Sequence, residues 1–332
     1  MEKHIKARWN DDLLATAAAR CGVAISDLTV LDGFESFIYE FERDGQGVIL
    51  RVSHSLRRSE NLIRGEVDWL NHLSKGGAFV AEALAFDNGQ LVEVIPDNQG
   101  DSFLATLFRK APGKHTGWDD WTPEFVQHYG ETIGKIHHLS KGYQPSNPEW
   151  RRYEWDDPIS LELESWAKIV EADILTKAHE VVARLKALPQ DETYHMIHQD
   201  AHGGNFFVDD AGKITLFDFD DCVYSHAIND IAMVFFYYSP MWDNPDKAKT
   251  FAQDFLTGYA RQNRLSADWL EHLHDFMKLR EFDLYAMIER DVDWRNGEDA
   301  WAANFMQGRR ERLLNDVPIV AYDFTELANL MA

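Results

Sequence analysis

The stretch from His198 to Asp220 restricts the fold of this chain more than any other. It opens with the polar run His198-Gln199-Asp200-Ala201-His202-Gly203-Gly204-Asn205 and continues as apolar Phe206-Phe207-Val208. It then turns through Asp209-Asp210-Ala211-Gly212 and returns along Ile214-Thr215-Leu216-Phe217 to Asp218-Phe219-Asp220. Two short apolar runs around an Asp/Gly turn predict a β-hairpin. Its open end gathers a carboxylate before the hairpin, an amide at its entry and a second carboxylate at its exit. Such oxygen groups suit a hard divalent ion, and phosphoryl transfer needs positioning together with neutralised phosphate charge.

Around the hairpin the chain divides into a β-rich front and a helical remainder. Asn10 or Asp11 caps a first helix carrying Leu13, Leu14 and Ala17, and Gly22 stops it. Strands are predicted at 28–31, 37–41 and 48–52, with Asp44-Gly45 as a tight turn between the last two. A helix covers 59–73 and ends near Gly76-Gly77. Asn88-Gly89 joins strands at 80–85 and 91–95, and a further strand spans 102–109. Lys110-Ala111-Pro112-Gly113 then breaks the pattern and reads as a linker. Thr122-Pro123 starts a helix with Phe125, Tyr129, Ile133, Ile136 and Leu139 at helical spacing. His137 and His138 sit on that helix about 100° apart, too divergent to chelate one ion, so a packed or capping role is expected. Residues 143–166 are irregular and rich in Trp and acids. Helices are predicted at 171–188, 228–238, 246–262, 267–291 and 299–315.

Asp200-x4-Asn205, with Asp218 thirteen residues further on, resembles the catalytic and metal-binding loops of the protein-kinase-like superfamily, where the pattern is H-R-D-x-x-x-x-N followed by D-F-G. Gln199 in place of the Arg and Asp220 in place of the Gly bring the chain nearer to the aminoglycoside phosphotransferases and choline kinases. The resemblance implies an α+β, two-lobed fold. Residues 1–109 would form a nucleotide-binding lobe with a small antiparallel sheet and one main helix, 110–113 a hinge, and 114–332 a larger, mostly helical lobe for catalysis and acceptor binding. It implies ATP or GTP as phosphate donor, with Mg²⁺, and a small hydroxyl-bearing acceptor. Asp200 takes the place of the catalytic carboxylate, Asn205 and Asp218 those of the metal ligands, and Asp230 that of a support for the catalytic loop. Arg51 stands where protein kinases carry a strand Lys, with Glu66 as its helix partner; an Arg pairs bidentately with carboxylate or phosphate. Gly33 to Ser36 would be the nucleotide-covering loop, although it has one glycine and no G-x-G-x-x-G. Backbone groups of Leu107 to Arg109 would meet adenine. His198 would brace the loop, and Asp220 would either approach a second ion or be a solvated surface carboxylate.

With 332 residues, 45% of them hydrophobic, the chain can fill two lobes. A net charge of −23 opposes nucleic-acid binding and slightly favours a cationic, amine-bearing ligand. Acids and aromatics at 150–166, with Asp283, Tyr285, Glu289, Asp291, Asp293 and Trp294, are candidates to line its site. Cys21 and Cys222 suggest buried thiols rather than a disulfide framework or a zinc site. No signal peptide or membrane span is apparent, so a cytoplasmic enzyme is expected; no feature of the chain sets an oligomeric state. Two other readings use the same residues. His198-x-Asp200-x-His202 alternates ligands that a metal-dependent hydrolase could use. A nucleotide-binding module without turnover would account for Arg51 and the missing glycines.

Overall fold

The computed structural model describes residues 3–33, 35–297 and 299–331. Strands β1 (Thr29–Leu31), β2 (Phe37–Arg43), β3 (Gln46–His54), β4 (Ala83–Leu84), β5 (Val92–Pro96) and β6 (Ser102–Arg109) form one antiparallel sheet. The order runs β1-β2-β3-β6, with β4 and β5 end to end along the far edge of β6. The β2–β3 turn carries Asp44 at φ 54° and Gly45 at φ 73°, the left-handed pair a two-residue hairpin requires.

Alternation along β3 sends Val48, Leu50 and Val52 to one face and Arg51 to the other. The first face packs with Tyr39, Phe41, Phe103 and Leu107 under α1 (Lys3–Lys6) and α2 (Asp11–Arg20). Asn10 caps α2 by accepting from the N–H of Asp12 and Leu13, and Gly22 follows it at φ 74°. The second face meets α3 (Glu60–Lys75), whose Ile63, Val67, Leu70 and Leu73 are buried in the larger core. Ser59 caps α3 through the N–H of Leu62.

The remainder contains α4 (Pro123–Ser140), α5 (Leu163–Trp166), α6 (Ala172–Lys186), β7 (Tyr194–Ile197), β8 (Phe206–Val208), β9 (Ile214–Leu216), β10 (Val223–His226), α7 (Ala227–Tyr237), α8 (Pro245–Tyr259), α9 (Leu273–Asp291), α10 (Ala300–Met306) and α11 (Arg309–Leu314). Helices α4 and α8 cross backbone to backbone. A Cβ on Gly258 would lie 1.8 Å from the Gln127 carbonyl, and one on Gly130 2.0 Å from that of Phe255. His137 is buried beside this crossing, bonded to Tyr259 Oη at 2.9 Å and to Asp230 at 3.0 Å, as a packed histidine.

Three local expectations change. The helix expected over 267–291 begins as a 3₁₀ turn, Ala267–His272, before α9. The one expected over 299–315 is cut into α10 and α11 by Gly308 at φ 65°, a conformation that ends a regular helix. The hairpin β8–β9 forms as expected, but it is flanked by an unforeseen antiparallel pair, β7 with β10. No helix among the described residues is long and apolar enough to cross a membrane.

Candidate active site

The loop between β7 and β8 is clamped from below. Asp230, buried near the start of α7, accepts from the backbone N–H of His198 at 2.9 Å and of Gln199 at 2.6 Å. Burial alone would raise its pKa; His137 and His198 outweigh that and lower it. The clamp holds Gln199 at φ 68°, a left-handed conformation unusual for a residue with a side chain. The His198 ring closes the loop from within, with Nδ1 accepting from the Asp200 N–H at 3.3 Å and Nε2 donating to the Phe217 carbonyl at 3.1 Å. Tyr129 donates its hydroxyl to the Ala201 carbonyl.

Asp200 thus projects from a fixed backbone. Its Oδ2 accepts from Asn205 Nδ2 at 2.8 Å, with His202 Nε2 at 3.4 Å, and its Oδ1 accepts from Arg280 Nη2 at 3.0 Å. Burial would raise its pKa, but His202, Arg280 and His198 prevail and bring it down to about 2. The Asn205 amide nitrogen also donates to the Asp200 carbonyl at 2.8 Å, so its oxygen is the group left to face the cleft. The Asn205 carbonyl in turn accepts from the Phe217 N–H at 2.9 Å, tying the entry of the hairpin to its exit.

At that exit Asp218 adopts φ 62°, and its carboxylate has no hydrogen-bond partner among the described residues. The residue is exposed to water, although neighbouring protein atoms still enclose part of its carboxyl. That enclosure, followed by the charge of Asp220, pushes its pKa up to about 7 against the opposing pull of Arg51. An unpartnered carboxylate beside a free amide oxygen is a donor set that fits a divalent cation holding phosphates.

Across the cleft Arg51 and Glu66 form a bidentate pair, Nη1 to Oε1 at 2.8 Å and Nη2 to Oε2 at 2.6 Å. The Arg51 Nε is buried without a partner among the described residues. Asp220 is no surface carboxylate: it is 6% exposed, bonded to Arg57, and 3.8 Å from both Arg51 Nη1 and Arg58 Nε. Burial would raise its pKa, yet these arginines hold it well below the ordinary range. Its carbonyl accepts from Arg152 Nη2 at 2.6 Å. Glu35, Asp220 and Asp221 bring carboxylate oxygens within 4.8 Å of one another, but Arg57 pairs with Glu35 and Asp220, and Arg58 with Asp221 at 2.9 Å. Guanidinium groups already neutralise that cluster.

Other expected site residues fall differently. Gly33 and Ser36 flank Phe34, which lies outside the described residues; Glu35 ties their loop to Arg57 and through it to Asp220. Leu107 is fully buried within the sheet between Leu50 and Leu84, and the Arg109 N–H donates to the Glu82 carbonyl. Past the strand, the N–H of Ala111 has no partner among the described residues. Of the candidate acceptor-lining groups, Asp283 and Trp155 border a cavity of about 40 Å³ shared with Gln199 and Arg280. Tyr153 and Trp166 are core residues, Tyr285 bonds Glu171, Glu289 pairs with Arg295, and Asp291 with Arg290. A hydrolase site does not assemble, because both ring nitrogens of His198 are spent on the backbone. Arg280, Tyr237, Arg57 and Arg58 are the residues that motif spacing does not reveal.

The phosphotransferase enzyme family matches residues 27–270. Amicoumacin kinase of Bacillus subtilis (strain 168) is 35% identical over 336 aligned residues, covering 98% of this chain and 99% of that protein. The structure of amicoumacin kinase hAmiN in complex with AMP-PNP, Ca²⁺ and Ami superposes with a TM-score of 0.91 at 32% identity, over 98% of this chain and 100% of that one. A microcompartment-associated aminopropanol kinase, 21% identical, shares the fold with a TM-score of 0.74 over 92% of this chain and 98% of that one. The chain therefore belongs to the phosphotransferase enzyme family and is a small-molecule kinase of protein-kinase-like fold.

Proposed function

We propose that the protein transfers the γ-phosphoryl group of ATP, in the cytoplasm, to a hydroxyl of a small amine-bearing molecule of the amicoumacin type. Asp200 is the catalytic carboxylate, and Asn205 and Asp218 hold Mg²⁺. The observation that carries this reading is the convergence of the Asp200 carboxylate, the free Asn205 oxygen and the unpartnered Asp218 at one end of the β8–β9 hairpin. A bound Mg²⁺ supplies neutralisation of the phosphate charge. The nucleotide lies between the lobe of 1–109 and that of 114–332, joined at 110–113, near Arg51 and under the loop of Gly33 and Ser36. The linker N–H of Ala111 is free to meet a base edge alongside the Arg109 backbone, whose N–H alone is engaged by the Glu82 carbonyl, whereas Leu107 lies within the sheet.

Asp200 is ionised throughout the neutral range, so its part is to orient the acceptor O–H and take the proton late in a loose transition state. Similarity to amicoumacin kinase along nearly the whole chain supports the acceptor class.

The test is incubation with amicoumacin and Mg²⁺ plus ATP or GTP, followed by mass spectrometry. A phosphoryl gain with ATP that disappears in Asp200→Ala is expected. Unchanged amicoumacin with folded, nucleotide-binding protein overturns the acceptor, and full turnover by Asp200→Ala overturns the catalytic carboxylate.

A further inference from the structure

Resting on the reading of Asp200 as the catalytic carboxylate, we infer that Arg280 is a positioning residue that gives its two oxygens separate tasks, so that the acceptor hydroxyl is delivered to Oδ1. An ionised carboxylate offers about four lone-pair sites, two on each oxygen. Oδ2 is filled by Asn205 Nδ2 at 2.8 Å and faces His202 Nε2 at 3.4 Å. Oδ1 has one donor, Arg280 Nη2 at 3.0 Å. The remaining site is therefore on Oδ1, beside the guanidinium.

Arg280 is not free to drift from this place. Its Nε and Nη2 donate to the Tyr237 hydroxyl at 3.0 and 2.6 Å, and its Nη1 donates to Asp283 at 2.6 Å. A planar guanidinium makes these contacts together; an ammonium of similar reach cannot reproduce the fork. Helix α9 thereby fixes the rotation of a carboxylate that belongs to a loop 80 residues earlier. Arg280 and Asp283 also border the 40 Å³ cavity, which leaves room for a small polar group next to the guanidinium.

In the reaction the acceptor oxygen forms its bond to the γ-phosphorus as the bond from phosphorus to the bridging oxygen of ADP breaks. The hydroxyl proton passes to Oδ1, and ADP leaves with the bond's electron pair. Arg280 does not touch the transferred group in this scheme; it acts through the orientation of Asp200.

With amicoumacin and MgATP as probes, Arg280→Ala is expected to lower kcat about 100-fold, the scale of a misplaced reactive group, with the ATP KM within about twofold of the parent. Added guanidinium is expected to restore part of the lost kcat in Arg280→Ala and none in Asp200→Ala. Arg280→Lys, which keeps charge and stem, should fall between alanine and the parent, and decides the matter if alanine does not fold. A folded Arg280→Ala with unchanged kcat, a loss confined to the ATP KM, or no guanidinium rescue overturns the assignment. If the parent protein leaves amicoumacin unphosphorylated, the acceptor reading has failed separately. Arg280 is then scored on acceptor-free ATP hydrolysis, where water takes the place of the hydroxyl, with the same losses expected.

Discussion

Arg51 meets Glu66 through both terminal nitrogens, 15 residues apart in sequence and shut away from water between β3 and α3. A buried pair of this kind is costly to break from one side, because the surviving charge is left uncompensated. Glu66→Gln is therefore expected to destabilise the protein by about 3 kcal/mol and to weaken nucleotide binding. Denaturant unfolding alongside an ATP titration checks it; a fall in affinity at unchanged stability would show that the pair is not structural.

Asp230 carries three hydrogen bonds from the β7–β8 loop and α4, two of them from the backbone N–H groups of His198 and the left-handed Gln199. An amide at this position keeps one acceptor oxygen and adds two donors that face donors. Asp230→Asn should lower stability by about 2 kcal/mol, the range for lost bonds to a charged group. Turnover should fall with it, since Asp200 is the next residue along. Thermal melts and kcat measured on the same sample settle whether both fall together.

Asp218 works against the fold. Its pKa is raised from the ordinary carboxylate range to about 7, so the folded state binds its proton more tightly than the unfolded chain does. The associated stability is full at acid pH and lost as pH rises from about 4 through about 7. In chelator, Asp218→Asn is expected to melt above the parent at pH 8, with the difference closing toward pH 4. With Mg²⁺ present the same substitution should cost most of the ATP affinity. A variant melting below the parent at pH 8 would remove the strain assigned to Asp218.

His195 and His226 act in the opposite sense. Burial lowers the first to about 3 and the second to about 4, and His195 Nε2 and His226 Nδ1 are buried without partners among the described residues. Both rings are neutral at pH 7, and on acidification the unfolded chain takes up their protons first. Stability therefore falls as pH drops below about 6.5, at up to about 1.4 kcal/mol per pH unit for each histidine. Melting temperature followed from pH 7.5 to 4.5 should drop, and His226→Phe, which stays against Trp269 and Tyr194, should flatten the drop.

Local chemistry carried much of this architecture. Asp44-Gly45, the caps Asn10 and Thr122, and the Asp209 turn each act within a few residues, and each stands where the sequence places it. Asp200 and Asn205 are bonded to each other as their spacing predicts, and Asp230 braces the β7–β8 loop as the resemblance implies. What escaped the sequence depends on distant partners. β7 is four residues long with no apolar alternation, and it exists because β10 pairs with it some thirty residues later. Arg280 looks like any helical arginine until the fold brings α9 against the catalytic loop. Asp220 reads as a second-ion ligand or a solvated acid because nothing nearby in sequence announces Arg57, 163 residues earlier, or its neighbour Arg58.

The glycines at the α4–α8 crossing have a consequence for how such enzymes diversify. With Gly130 and Gly258 seated against opposing carbonyls, neither helix can slide or gain bulk, and α4 also delivers Tyr129 to the Ala201 carbonyl and His137 to Asp230. The scaffold under the chemistry is consequently rigid toward substitution. Room for substitution lies instead in the irregular stretch around Trp155 and Ser160 and along α9, where side chains border a cavity.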